Sequence, residues 1–245
     1  MASTSRIHLP PPLQAGTELP LPEEAFRHLV QVLRLREGET FIAFCGDGAE
    51  YEATLTQVAK RSAMLKLGER REPDRESPLR LTLAQCVSKG ERMEFTLQKA
   101  VELGVNRILP LLSARSVVKL DGERWEKKLE HWRGIVVSAC EQSGRTHIPE
   151  LAAVQPLERW LPACDESGLR LTLDPLAAHG IGGLPAVTDS ATLLIGPEGG
   201  LSEVELRTAT VAGFTGVRIG PRILRTETAG LAMLAALQSR YGDWN

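Results

Sequence analysis

Two short loops near the C-terminal end carry residue types that could hold a ligand. The first, Gly196-Pro197-Glu198-Gly199-Gly200, follows the apolar run Leu193-Leu194-Ile195 and precedes Ser202, whose spacing to Glu205 matches the S-x-x-E box that opens helices. The second, GPRILRTET over 220–228, follows Val217-Arg218-Ile219 and leads into a helix rich in small residues over 229–238. Each reads as a strand that stops, turns through glycine and starts a helix. In parallel α/β proteins ligands sit at the carboxyl ends of strands, where glycine lets the backbone approach closely and leaves N–H and C=O groups free. Two such loops can wall one pocket. Polar residues as dense as Arg225-Thr226-Glu227-Thr228 at a helix start point to ligand or substrate contact, and Thr226 reads equally as an N-cap.

The elements that position those loops alternate between strand and helix. Strands are expected over 79–87, 107–112, 169–173 and 192–195. A helix over 91–103 carries Met93, Leu97, Ala100 and Val101 on one side, with Gly104 placed to end it. A long helix over 123–142 repeats Trp125, Leu129, Trp132, Val136 and Cys140 at helical spacing, as a core face. Such alternation argues for a parallel sheet with helices on both faces. Nothing in the pattern discloses a knot, which is rare.

The N-terminal part reads differently. An extended run over 6–9 and a helix over 22–35, with Phe26, Leu29, Val30 and Leu33 as its apolar stripe, precede strands over 40–45, 51–58 and 63–67. Gly46-Asp47-Gly48 and Lys60-Arg61 mark the turns. A unit so short and strand-rich is expected to close into a small barrel around one helix, since closure removes exposed edges. The charged, proline-bearing stretch ERREPDRESP over 69–78 reads as a linker, placing domains at 1–70 and 79–245 with 71–78 between them.

Composition narrows the chemistry. The 245 residues carry Lys+Arg 29 against Asp+Glu 31, a net charge of −2, so a nucleic-acid binder of this sequence needs a local basic face. Cys45, Cys86, Cys140 and Cys164 are scattered without a C-x-x-C pair, and His8, His28, His131, His147 and His179 share no metal-binding spacing; no metal is expected, and no histidine is assigned to catalysis. A nicotinamide enzyme would place G-x-G-x-x-G after the first strand of its βαβ unit, whereas the glycine loops here come late and with other spacing. The N-terminal MASTSRIHLPPP lacks a charged-then-apolar leader pattern and no apolar run approaches membrane-spanning length, so a cytoplasmic protein is expected.

Four stretches in order, KGERMEFTLQKAVELGV (89–105), SACEQSGRTHIPE (138–150), LLIGPEGGLSEVE (193–205) and IGPRILRTETA (219–229), resemble the RsmE family of bacterial ribosomal RNA methyltransferases, within the SPOUT class. The resemblance covers most of the chain beyond about residue 80. It implies an α/β fold, a C-terminal SPOUT-type parallel sheet with a deep trefoil knot, preceded by a small PUA-like β-barrel domain that binds RNA. The implied donor is S-adenosyl-L-methionine, the implied target is N3 of a uridine in 16S ribosomal RNA of the small ribosomal subunit, and the implied assembly is a homodimer.

The resemblance also assigns residues. Leu194, Gly196, Pro197, Glu198, Gly199, Gly200, Ile219, Gly220, Leu224, Thr226 and Thr228 would hold the donor, with Leu194, Ile219 and Leu224 as apolar walls for adenine. The family most often has leucine where this chain has Ile219. Arg225, Glu227, Glu141 and Arg145 are the candidates for catalysis, orienting the base or withdrawing charge from the uracil anion, because N3 carries a proton that must leave. The other reading of Glu141 to Arg145 is a helix end with a glycine C-cap. Arg6, His8, His28, Arg34 and Arg36 would face RNA, the alternative being solvated surface. Competing functions are another SPOUT methyltransferase acting on tRNA or a ribose 2′-hydroxyl, and an inert RNA-binding protein on the same scaffold.

Overall fold

The computed structural model describes residues 5–118, 121–165 and 167–244; the first four residues of the stretch searched for a leader lie outside them. The chain divides into two compact units, Met1–Glu76 with Cys140–Ile148, and Ser77–Ala139 with Pro149–Asn245.

In the first unit five strands, β1 (Arg6–His8), β2 (Glu18–Pro20), β3 (Thr40–Phe44), β4 (Glu50–Val58) and β5 (Ala63–Arg71), form one sheet in the order β1-β3-β4-β5-β2. Only β1 and β3 run parallel. Tyr51, Ala53 and Leu55 alternate inward along β4, as a half-buried strand requires, and meet Leu29, Phe41, Leu65 and Leu67 in the core. The strand expected over 63–67 continues through Arg71, inside the stretch read as linker.

The helix expected over 22–35 is shorter. It comprises α1 (Glu23–Phe26) and a π-helical turn over Arg27–Val32, closed by Leu33 N–H donating to His28 O at 3.0 Å. The wider turn takes an extra residue and rotates the apolar stripe. Phe26 and Leu29 are buried, while Val32 and Leu33 are 65% and 43% exposed, so Leu33 is not the core residue its spacing predicted.

The second unit is a parallel sheet of β6 (Arg80–Cys86), β7 (Arg107–Leu112), β8 (Glu150–Leu151), β9 (Gln155–Pro156), β10 (Leu169–Leu173), β11 (Ser190–Ile195) and β12 (Thr215–Val217), ordered β12-β10-β11-β6-β7-β8 with β9 also on β7. All six residues of β11 are buried, the signature of a strand covered on both faces. Its helices are α2 (Glu91–Glu102), α3 (Gly122–Ser143), α4 (Leu157–Trp160), α5 (Glu203–Val211) and α6 (Thr226–Tyr241). The last turn of α3, from Cys140, belongs to the first unit. Trp132, Val136 and Cys140 of α3 are buried as their spacing predicted, and Trp125 is half-buried.

One helix start matches expectation and one differs. α5 opens on the predicted box: Ser202 Oγ accepts Glu205 N–H at 3.3 Å and Glu205 Oε2 accepts Ser202 N–H at 2.7 Å. α6 begins at Thr226, three residues before the predicted start, with Arg225 rather than Thr226 at the cap position. The small residues of α6 pack within the unit, against α2, β6 and β11. A Cβ at Gly230 would sit 3.4 Å from Ile195, in ordinary contact. No helix among the described residues is long and apolar enough to cross a membrane.

Candidate active site

The strand order of the second unit reverses between β11 and β6, and in such sheets ligands bind beyond the carboxyl ends of the strands at the reversal. A pocket of about 550 Å³ lies beside that reversal, beyond the carboxyl ends of β10, β11 and β12 and at the start of α6. Leu173, Ile195, Leu201, Val217, Ile219 and Leu224 give it apolar walls, and Gly196, Gly200 and Gly220 bring backbone to its surface. Gly200 and Gly220 sit at φ 69° and 65°, in the left-handed region where a side chain is strained.

The loop after β11 is held from several sides. Thr226 Oγ1 donates to Gly196 O at 2.6 Å and accepts from Gln85 Nε2 at 3.1 Å, tying the ends of β6 and β11 to the first turn of α6. Glu198 Oε1 accepts from Lys89 N–H at 3.2 Å and from Arg92 Nη1 at 3.1 Å. Arg92 Nε also lies 3.9 Å from Glu227 Oε1, so one guanidinium stands between the two loops' carboxylates. Arg115 Nη1 donates to Gly199 O at 2.9 Å, and Glu205 Oε1 accepts Ala114 N–H at 2.8 Å. A loop fixed this way pays little ordering entropy when a ligand arrives.

Of the residues expected to hold a donor, Gly196, Pro197, Glu198, Gly200, Ile219, Gly220, Leu224 and Thr226 line the pocket; Leu194, Gly199 and Thr228 do not. Leu194 is fully buried within β11, Gly199 carries the carbonyl bound by Arg115, and Thr228 is exposed.

The four catalytic candidates part company. Arg225 lines the pocket, whereas Glu227 does not, its side chain lying at Arg92 with Oε2 buried and without a hydrogen bond. Glu141 and Arg145 fall in the first unit. There Arg145 is buried and ion-paired with Glu76, Nε donating to Oε1 at 3.1 Å. Glu141 Oε1 accepts His8 N–H at 2.9 Å, and burial raises its carboxyl above the ordinary value despite that bond.

The residues expected to face RNA also divide. Arg6 is ion-paired with Glu50, its side chain 12% exposed and its guanidinium 5.3 Å from the Phe44 ring centre. His8 packs edge-on against Phe44, and burial lowers its imidazole despite a bond to Cys45 backbone. His28, Arg34 and Arg36 are exposed. Burial pushes the Cys86 and Cys140 thiols up to about 12, so both stay protonated at neutral pH and are poor nucleophiles.

Sequence reading passed over Gln85, Arg92, Arg115, Asp174, Arg218 and Arg222 as site residues, although all of them line the pocket or brace its loops. The available signals were Arg92 within KGERME, Arg218 before the second glycine loop and Arg222 inside it, all quoted without a role for the side chain.

Residues 75–238 match the family described as RNA methyltransferase domain, and residues 21–67 match the RNA methyltransferase PUA domain. This chain belongs to the RNA methyltransferase family. Family likeness extends over the whole length. A Buchnera aphidicola protein named ribosomal RNA small subunit methyltransferase E is 34% identical over 238 residues, 97% of each chain. The protein of the same name from Neisseria gonorrhoeae, solved bound to S-adenosyl methionine, superposes with a TM-score of 0.92 at 40% identity, covering 99% of this chain and 100% of that one. A Legionella pneumophila protein described as a methyltransferase, solved with the cofactor SAM bound, gives a TM-score of 0.94 at 41% identity over the same shares.

Proposed function

We propose that this chain transfers a methyl group from S-adenosyl-L-methionine to N3 of a specific uridine in 16S ribosomal RNA. The observation that carries the reading is the pocket: apolar walls and glycine-turned backbone beyond the carboxyl ends of three neighbouring parallel strands, in a chain about 40% identical to donor-bound relatives. Its volume and its mixture of apolar wall and exposed amide edge suit a nucleoside joined to an amino acid. The donor supplies an electrophilic methyl on a sulfonium, which needs neither metal nor covalent enzyme intermediate. Among the described residues no group of three or more His, Cys, Asp or Glu is placed to hold a metal ion.

The residues divide the work. Leu173, Val217, Ile219 and Leu224 bury the adenine, and the amides and carbonyls at Gly196, Gly200 and Gly220 fix its edge. Thr226 and Arg92 hold those loops in place. Arg225, exposed at the pocket margin, favours the deprotonated uracil by placing a positive charge beside it. The uracil must be unpaired or turned out for N3 to reach the donor. The first unit, matched to a PUA domain, closes as a small barrel and takes RNA through His28, Arg34 and Arg36. The finer architecture we assign to the second unit is the deep trefoil knot, with the loops before α5 and α6 as its crossings. We further assign a homodimer and a cytoplasmic setting, where its ribosomal substrate resides.

Calorimetric titration of S-adenosyl-L-methionine tests the donor half. One donor per chain with micromolar affinity, weakened about tenfold in Thr226→Val, supports the reading; no heat with the intact protein contradicts it. Light scattering tests the assembly, for which a mass of one 26.8 kDa chain would count against the dimer.

A further inference from the structure

The charges lining the pocket do not balance. Arg92, Arg218, Arg222 and Arg225 face only Asp174 and Glu198, in a chain whose net charge is −2. Glu198 is already held by Arg92, and Asp174 Oδ1 accepts Leu176 N–H at 2.9 Å. Arg218, Arg222 and Arg225 are exposed, and among the described residues none of them makes an ion pair or a side-chain hydrogen bond.

The methyl donor does not explain that surplus. At neutral pH it carries a sulfonium and an ammonium against one carboxylate, so it is a net cation, and surplus arginine opposes its binding. A polyanion explains it. Guanidinium groups fit phosphate oxygens with paired, charge-assisted hydrogen bonds.

The backbone supplies a seat for such a group. Arg218 N–H donates to His179 O at 2.8 Å, and Arg218 forms a parallel bridge with Gly180, which fixes its main chain while its side chain stays exposed. Arg218 and Gly220 then line a second cavity of about 430 Å³ together with Gly180, Ile181 and Pro221, and the same two residues line the larger pocket. The two cavities therefore share a wall. Glycine at 180 and 220 leaves room for a bulky anion near the guanidinium.

We propose that Arg218, which lines both cavities, and Arg222, which lines the larger one, form a phosphodiester subsite that seats the RNA backbone next to the target base. This rests on the reading of the chain as an RNA methyltransferase. It also assigns the second unit its own grip on RNA, beside the basic residues of the first unit, two of which, Arg6 and His8, are engaged within that unit.

The test compares the intact protein with Arg218→Gln, Arg222→Gln and the double variant, using transcribed small-subunit ribosomal RNA as probe between 50 and 200 mM salt. Each lost phosphate contact on a single strand makes the plot of log K against log salt shallower by about 0.7. The double variant is expected to lose about 1.4 of slope and several-fold or more in RNA affinity at low salt, on the same basis. Its calorimetric affinity for S-adenosyl-L-methionine should fall less than its affinity for RNA, because the charge removed is positive and stands beside a cation. A slope equal to the parent's overturns the subsite, and so does donor binding weakened as much as RNA binding. Failure of the function itself looks different: an intact protein that transfers no methyl, while the double variant still loses slope, loses the enzyme reading and keeps the subsite.

Discussion

Arginine does opposite jobs in two places, the Cys140–Ile148 contacts of the first unit and the pocket of the second. In the first, Arg6 and Arg75 both pair with Glu50, whose side chain is 8% exposed, Arg145 pairs with Glu76, and Arg75 Nη1 also donates to Gly144 O at 2.9 Å. In the second, Arg218, Arg222 and Arg225 stand exposed around a pocket. Paired, the side chain joins Cys140–Ile148 to the N-terminal strands; exposed and unpaired, it waits for an anion. A folded chain retains unpaired positive charges at a pocket at some electrostatic cost, and the return on that cost is binding. Arginine alone therefore signals nothing until its partner is known.

The contrast breaks most visibly on truncation. Arg145→Ala leaves Glu76 part-buried without its partner, and denaturant titration should show a loss of about 3–5 kcal/mol. Arg225→Gln should leave stability within about 0.5 kcal/mol, as for an exposed position, while lowering the rate of transfer on the order of 100-fold. Equal effects of both variants on stability would erase the distinction.

Thr226→Val comes next. It removes the hydroxyl between Gln85 and Gly196 and leaves buried polar groups unpaired, costing about 1–3 kcal/mol. Melting curves measure that loss, and its effect on donor affinity should exceed that of Thr228→Val, whose side chain is exposed and off the pocket.

Acid sharpens the picture of the first unit. Burial opposes ionisation of Glu50, but hydrogen bonds and charge from Arg6 and Arg75 outweigh it and hold the carboxyl below its ordinary value of 4.5. Its contribution to stability is therefore complete above pH 4.5 and is lost as pH falls through the lower folded value. Burial raises Glu141 instead, so its contribution is complete below pH 4.5 and is lost as pH rises through the raised folded value. Stability measured across pH 3 to 7 should consequently lose part of its acid limb in Glu50→Gln. In Glu141→Gln, neutral pH should favour the variant relative to the parent. The opposite signs would show that these environments have been misread.

The smallest effect concerns the loop brace. Arg92 and Glu198 are 44% and 28% exposed, so their pair contributes about 0.5–1 kcal/mol at most. If Arg92 acts on the donor through Glu198, the losses in donor affinity of Arg92→Ala and Glu198→Ala should not add in the double variant. Full additivity would separate the two residues.

Much of this was legible in the sequence, for local reasons. The strand over 51–58, the Ser202 to Glu205 box and the glycine turns at 196–200 and 220 are spelled out within a few residues of chain, and each was found where the pattern put it. What failed to show was set by partners distant in sequence. Arg92 meets Glu198 across 106 positions and Glu76 meets Arg145 across 69, separations that carry no periodic mark in a single chain. The EQSGR segment, read for chemistry or as a helix end, is tied to the N-terminal strands through Arg145 to Arg6 and Glu141 to His8. The π turn at Arg27–Val32 likewise changes which residues face inward without altering composition.

One experiment bears on the whole reading at once: transfer of labelled methyl from S-adenosyl-L-methionine to small-subunit ribosomal RNA lacking the modification, followed by digestion to nucleosides. The expected result is label in 3-methyluridine alone with the intact protein, falling on the order of 100-fold in Arg225→Gln while donor affinity holds. Label in a ribose 2′-O-methyl nucleoside, or donor binding without any transfer to naked RNA or assembled subunits, would contradict it.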